Sequence, residues 1–98
     1  MRHHRVPDSA TFVRTTPRFD ADTIPVGLLS SHHLAARTWA VIRVDSGELE
    51  FTWEDDPDNP TTIGAGDSLV IPPEARHHIS PPGKVSFEID FYSDRSGS

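Results

Sequence analysis

Two stretches of this chain alternate apolar and polar residues without a break: residues 48–54, ELEFTWE, and residues 85–92, VSFEIDFY. In the first, Leu49, Phe51 and Trp53 share one face, with Glu48, Glu50, Thr52 and Glu54 on the other. In the second, Val85, Phe87, Ile89 and Phe91 oppose Ser86, Glu88, Asp90 and Tyr92. A period of two is the pattern of a strand with one face buried. A helix cannot collect such residues on one side, because its same-face neighbours lie three or four apart. Nine prolines and six glycines cut the remaining sequence into pieces too short for long helices. The fold class that follows is all-β.

The other elements fit this reading. Residues 38–44, TWAVIRV, are rich in β-branched and aromatic side chains. Asp45-Ser46-Gly47 follows as a turn with glycine where φ is positive, so residues 38–54 are expected to form a hairpin. Upstream, residues 11–16 read as an edge strand stopped by Pro17, residues 17–24 as a loop, and residues 25–30, PVGLLS, as a short apolar strand. Residues 31–37 connect it to the next strand. Downstream, DDPDNP (residues 55–60) is a loop that lacks the glycine and distal glutamate of a calcium site. Short strands are expected at residues 61–63, 68–71, 77–80 and 85–92, with turns at 65–67, 72–76 and 81–83. Many short strands spaced roughly 8–12 residues apart indicate a sandwich or barrel. At 98 residues the chain makes one domain. Its expected limits are a mobile tail at residues 1–10, a barrel at 11–93 and a short tail at 94–98.

Composition narrows the function. The formal net charge is −6 and the acidic residues gather at Glu48, Glu50 and residues 54–58, which disfavours nucleic acid. With no cysteine there is neither a disulfide nor a thiolate ligand. No apolar run has the ~20 residues of a membrane helix, and the basic start MRHHRVPDSA has no apolar region behind it, so a cytoplasmic protein is expected.

Histidine is abundant, at six residues. His3 and His4 lie in the expected tail. The others form two adjacent pairs, His32-His33 and His77-His78. On extended backbone one member of each pair points inward and the other outward. An inward imidazole from each pair, a carboxylate and open water positions would make a first-row metal site.

Gly66, Pro72 and His77 keep the spacing of the second motif of the cupin superfamily, with Glu74 in place of that motif's second glycine. Gly27, His33 and Gly47 fit the first motif, but its second histidine is Ala35 and its glutamate Ala40. A narrower resemblance uses more residues. Leu28, Leu29, His32, Trp39, Gly47, Gly66, Pro72, His77, Phe87, Asp90, Phe91 and Tyr92 together resemble the small stand-alone cupins related to tellurite resistance. In some tellurite-resistance proteins this domain precedes a methyltransferase. The likeness covers about residues 15–92 and implies a cupin-like jelly-roll β-barrel, a double-stranded β-helix.

The resemblance also implies ligands. It selects His32 with His77, whereas the generic spacing selects His33. Asp90 matches the family's acidic position, although it lies on the polar face of its strand, the ordinary place for a solvent-facing carboxylate. Trp39, Arg37 (where the family has glycine) and Glu74 are the neighbouring candidates for substrate binding. The implied cofactor is a divalent transition metal: Zn, Ni, Fe or Mn. The reading that follows is a small metal-binding protein that takes a small molecule or oxyanion in a stress response. Two alternatives stand beside it: a mononuclear metal enzyme, oxygenase or isomerase, and a metal-free interaction module that forms a homodimer through a sheet edge.

Overall fold

The computed structural model describes residues 4–30 and 32–94, so parts of both expected tails (1–3 and 95–98) lie outside the described residues. Among the described residues seven strands make up the fold: β1 (Ala10–Thr15), β2 (Phe19–Asp20), β3 (Thr38–Trp53), β4 (Thr61–Gly64), β5 (Ser68–Ile71), β6 (His77–Ser80) and β7 (Val85–Asp94). All named pairings are antiparallel. The chain is a jelly roll, and strands 61–64, 68–71, 77–80 and 85–94 occupy the expected places.

The expected hairpin at residues 38–54 is not formed. Residues Thr38–Trp53 run as one 16-residue strand. Its first half lies between β7 and β5, through Ala40↔Phe91 and Ala40↔Ile71. Its second half lies between β4 and β6, through Phe51↔Thr61 and Phe51↔Ile79. Where the hairpin turn was expected, the register against β7 slips between Val44 and Ser46, leaving Asp45 as the extra residue of a bulge. The bulge has a consequence for the core. The inward residues are Ala40, Ile42 and Val44 before it and Leu49, Phe51 and Trp53 after it, all buried. One inserted residue switches the buried parity from even to odd, so a single strand feeds the same core from two sheets.

The expected strand at residues 25–30 is also corrected. Val26–Leu29 is a 3-10 turn with Leu28 N–H donating to Pro25 O at 2.9 Å. Pro25 enters it at φ −56°, and no ladder partner extends the segment. Two of the turn's apolar residues face out, Val26 82% and Leu29 44% exposed, while Leu28 packs against the core.

The core is one cluster. Phe51, Phe87, Ile42 and Leu49 are its largest fully enclosed side chains. Phe12 and Val13 on the outer strand β1 remain exposed. His4, from the expected tail, sets its ring edge-on against Trp53 at 5.3 Å. Among the described residues no helix is long and apolar enough to cross a membrane.

Candidate functional site

His77 opens β6, the strand that follows the Pro72-Pro73 turn, and faces inward with 3% exposure. Outside the named strands it meets His32 in an antiparallel bridge. His32 N–H donates to His77 O and His77 N–H to His32 O, each at 2.8 Å. This exchange fixes the two residues directly opposite one another. Their rings lie 5.5 Å apart at 89°.

The His77 ring is held on three sides. It stacks on Phe51 at 5.1 Å and 19°, and Trp53 presents an edge at 6.5 Å. Its Nδ1 lies 2.8 Å from the Ala75 carbonyl oxygen. A carbonyl only accepts, so Nδ1 carries the proton and Nε2 keeps its lone pair. A backbone carbonyl on the remote nitrogen is the usual support of a metal-ligating histidine.

Burial is the main effect on His77 protonation. It pushes the imidazole below its usual range, outweighing the Ala75 hydrogen bond that favours the cation. His32 is lowered as well, first by burial and then by neighbouring His33. Both are therefore neutral at pH 7, the form that ligates metal. A stability effect follows. As pH falls below the ordinary histidine value of 6.5, the unfolded chain takes up a proton that folded His77 resists. Stability is then fullest above that pH and declines as pH falls toward the depressed folded value. The drop in urea midpoint between about pH 7.5 and about pH 5.5 should be smaller in His77→Gln, which cannot titrate.

The two histidines, His77 buried and His32 half-buried, line a partly open cavity of about 20 Å³, room for about one water molecule. The remaining walls are apolar: Ala40 and Ile42 from β3, Ile71 from β5, Ile79 from β6, Ile89 and Phe91 from β7, with Leu28 and Leu34 from the connecting segments. Among the described residues, no group of three or more His, Asp or Glu side chains is placed to hold a metal ion. The donor set is thus two imidazoles, which fits a metal that completes its shell with water or a small ligand, one protein donor short of the usual catalytic three.

The other candidates lie elsewhere. His33 is exposed. Asp90 sits between Ile89 and Phe91 on the opposite face of β7, where Arg43 clasps it through Nε at 2.7 Å and Nη2 at 3.0 Å and Thr15 Oγ1 donates at 2.6 Å. Those bonds, Arg43's above all, hold its carboxyl below the ordinary range. The structure therefore places Asp90 in an ion pair with Arg43 on the face away from the histidine cavity. Trp39, one residue from inward Ala40, lies on the outer side of β3 and is half-buried. Arg37 and Glu74 are both exposed.

Arg37 and Glu74 share a further property. Among the described residues they are the non-glycine ones with positive φ, at 66° and 64°. Each stands where the resembled family or superfamily carries glycine. The turns that hold them are joined, since Glu74 N–H donates to Leu34 O at 3.0 Å. Left-handed backbone at a side-chain-bearing residue costs about 1 kcal/mol. Glu74→Gly and Arg37→Gly should each therefore raise the unfolding free energy by up to ~1 kcal/mol, read from urea midpoints, less the flexibility that glycine returns to the unfolded chain.

Sequence reasoning missed two features. His78, outward as expected, bonds Glu54 through Nδ1. This pairing follows from the Trp53↔His77 register between β3 and β6 and has no sequence signal. Leu28 reads in the sequence as an apolar strand residue and a family-matching position, with no signal that it lines one side of the cavity.

Comparison with known proteins bears on the fold and the family. A family model described as TehB-like domain matches residues 14–89. A protein from E. coli strain K12 has a structure that superposes with a TM-score of 0.85 at 24% identity, covering 95% of this chain and 99% of that one. TehB from Haemophilus influenzae superposes at 0.81 and 18% identity, covering 89% of this chain but 32% of its own. A cupin-2 domain protein from Shewanella frigidimarina gives 0.55 at 21% identity, over 91% of this chain and 76% of that one. At these identities the structures speak for a cupin-type jelly roll. This chain spans about a third of TehB. No curated protein matches the sequence.

Proposed function

The chain belongs to the TehB-like domain family, and from that premise we propose that it is a small cupin-like binding protein in which His32 and His77 hold one divalent transition-metal ion. The open positions of that ion would accept a small oxyanion or comparable small ligand. The bridged histidine pair carries this reading: two neutral imidazoles from opposed backbone positions at one cavity, with Nδ1 of His77 already engaged by Ala75 O. A bound ion would supply Lewis acidity and a positive centre for an anion. The protein's own part is to fix the His77 tautomer, to keep both rings neutral, and to surround them with apolar walls that strengthen electrostatic attraction.

Two protein donors favour a binder over a mononuclear enzyme, which ordinarily holds its metal with three. The similarity to TehB supports a role alongside tellurite-resistance chemistry, and tellurite is a natural first anion to test. Calorimetric titration of untagged protein with Zn²⁺, Ni²⁺ and Mn²⁺ tests the reading. One equivalent of at least one ion should bind, and both His32→Ala and His77→Ala should abolish it. Folded protein that takes up none of them would leave the metal-free interaction module as the better account.

A further inference from the structure

We propose that Leu28 is the movable wall of the His32–His77 cavity and so sets the size of what reaches the buried His77 ring from the half-buried His32 side. This rests on the reading of that pair as the binding site. At about 20 Å³ the cavity admits a water-sized occupant, and any larger ligand needs a wall to give way.

The walls are not equally able to do so. Ala40, Ile42, Ile71, Ile79, Ile89 and Phe91 stand on strands locked into ladders. Leu34 is buried, and its carbonyl accepts the Glu74 N–H. Leu28 alone comes from the Val26–Leu29 turn, in which no residue is buried. The turn's hydrogen bond, from Leu28 N–H to Pro25 O, is internal and travels with it. Val26 and Leu29 face water, so among the described residues nothing covers the turn's outer side. A segment with few buried contacts is the first to open locally. Swinging it lifts Leu28 off the cavity without breaking a ladder bond.

Diethyl pyrocarbonate tests this without any metal, so failure here is separable from failure of the metal reading. The reagent acylates neutral imidazole and is far larger than the space of about 20 Å³ beside His77. Modification of each histidine is followed by peptide mass spectrometry, with exposed His33 as internal reference. In the unaltered protein His77 should react much more slowly than His33. Leu28→Ala should speed His77 about tenfold while leaving His33 unchanged. Gly27→Ala should slow His77 by ~2–5-fold, because a Cβ there meets nothing within 4 Å and restricts the open turn more than the closed one. Ile63→Val, a core truncation in β4 that does not line the cavity, controls for global opening and should leave the His77 rate near that of the unaltered protein. The proposal is overturned if His77 reacts as fast as His33 in the unaltered protein. It is equally overturned if Leu28→Ala has no effect, or if Ile63→Val matches it.

Discussion

Gly47→Ala is expected to lower the unfolding free energy by at least ~3 kcal/mol, among the largest effects of any single methyl added to this chain. Gly47 sits at the end of the β3 bulge with φ +73°, and the left-handed conformation alone costs a side-chain-bearing residue about 1–2 kcal/mol. The larger part is steric. A Cβ at Gly47 would run into the carbonyl of Lys84, which is backbone and cannot swing aside. Relief would require moving β3 away from β7 where the long strand passes between sheets. Two other glycines separate these contributions. Gly66 has φ +87° with open space around it, so Gly66→Ala should show the conformational part alone, about 1 kcal/mol. Gly83 has open space and no positive φ, so Gly83→Ala should stay within ~0.5 kcal/mol. Urea denaturation of the three variants reads this order directly. A Gly47 variant as mild as the Gly83 one would mean that the bulge does not hold the sheets in the stated register.

Phe51→Ala should cost about 3–5 kcal/mol. Phe51 is fully enclosed, packs edge-on against Trp53 at 4.7 Å, and forms the platform on which His77 stacks. Truncation opens a cavity that laddered neighbours on β4 and β6 cannot collapse into. Phe51→Leu preserves most of the volume and should cost less than ~1.5 kcal/mol. It nonetheless removes the flat support beneath the His77 ring. The leucine variant should therefore stay folded while weakening whatever His77 binds, and the alanine variant should lose stability and binding together. Equal binding in Phe51→Leu and the unaltered protein would show that Ala75 O and His32 suffice to orient the ring.

These effects mark where the sequence was legible. Alternation fixed the faces of residues 48–54 and 85–92 because the pattern records burial directly. The turn at residues 45–47 was misread because Asp-Ser-Gly is equally good chemistry for a reversal and for a bulge. What decides between them is which strands lie alongside, and that is non-local. The bulge leaves a parity change, Val44 inward and then Leu49 inward, but a hairpin satisfies that parity too. Leu28 and Leu29 looked like strand because apolar runs of that length carry no period. Of the site, strand alternation allows one inward member of His77-His78, and the resemblance carried by Gly66, Pro72 and His77 selects His77. The choice of His32 over His33 came from family spacing, and the geometry agrees in bringing His32, and not His33, to the cavity. Asp90 enters the candidate set through resemblance alone, and its strand face correctly indicates the side of β7 on which it meets Arg43. Arg37 and Glu74 mattered less as ligands than as side chains standing on left-handed backbone.

The central claim concerns two nitrogens, so the most direct measurement observes them. Long-range ¹⁵N–¹H NMR of uniformly labelled protein, titrated with Zn²⁺ near pH 7, resolves all six histidines and reports the state of each ring nitrogen. Before metal, His77 should show a protonated Nδ1 and an unprotonated Nε2. At one equivalent the Nε2 resonance of His77 and one ring nitrogen of His32 should shift together, while His33 and His78 stay in place. Shifts confined to other histidines, or none at His77 with the protein folded, would contradict the account.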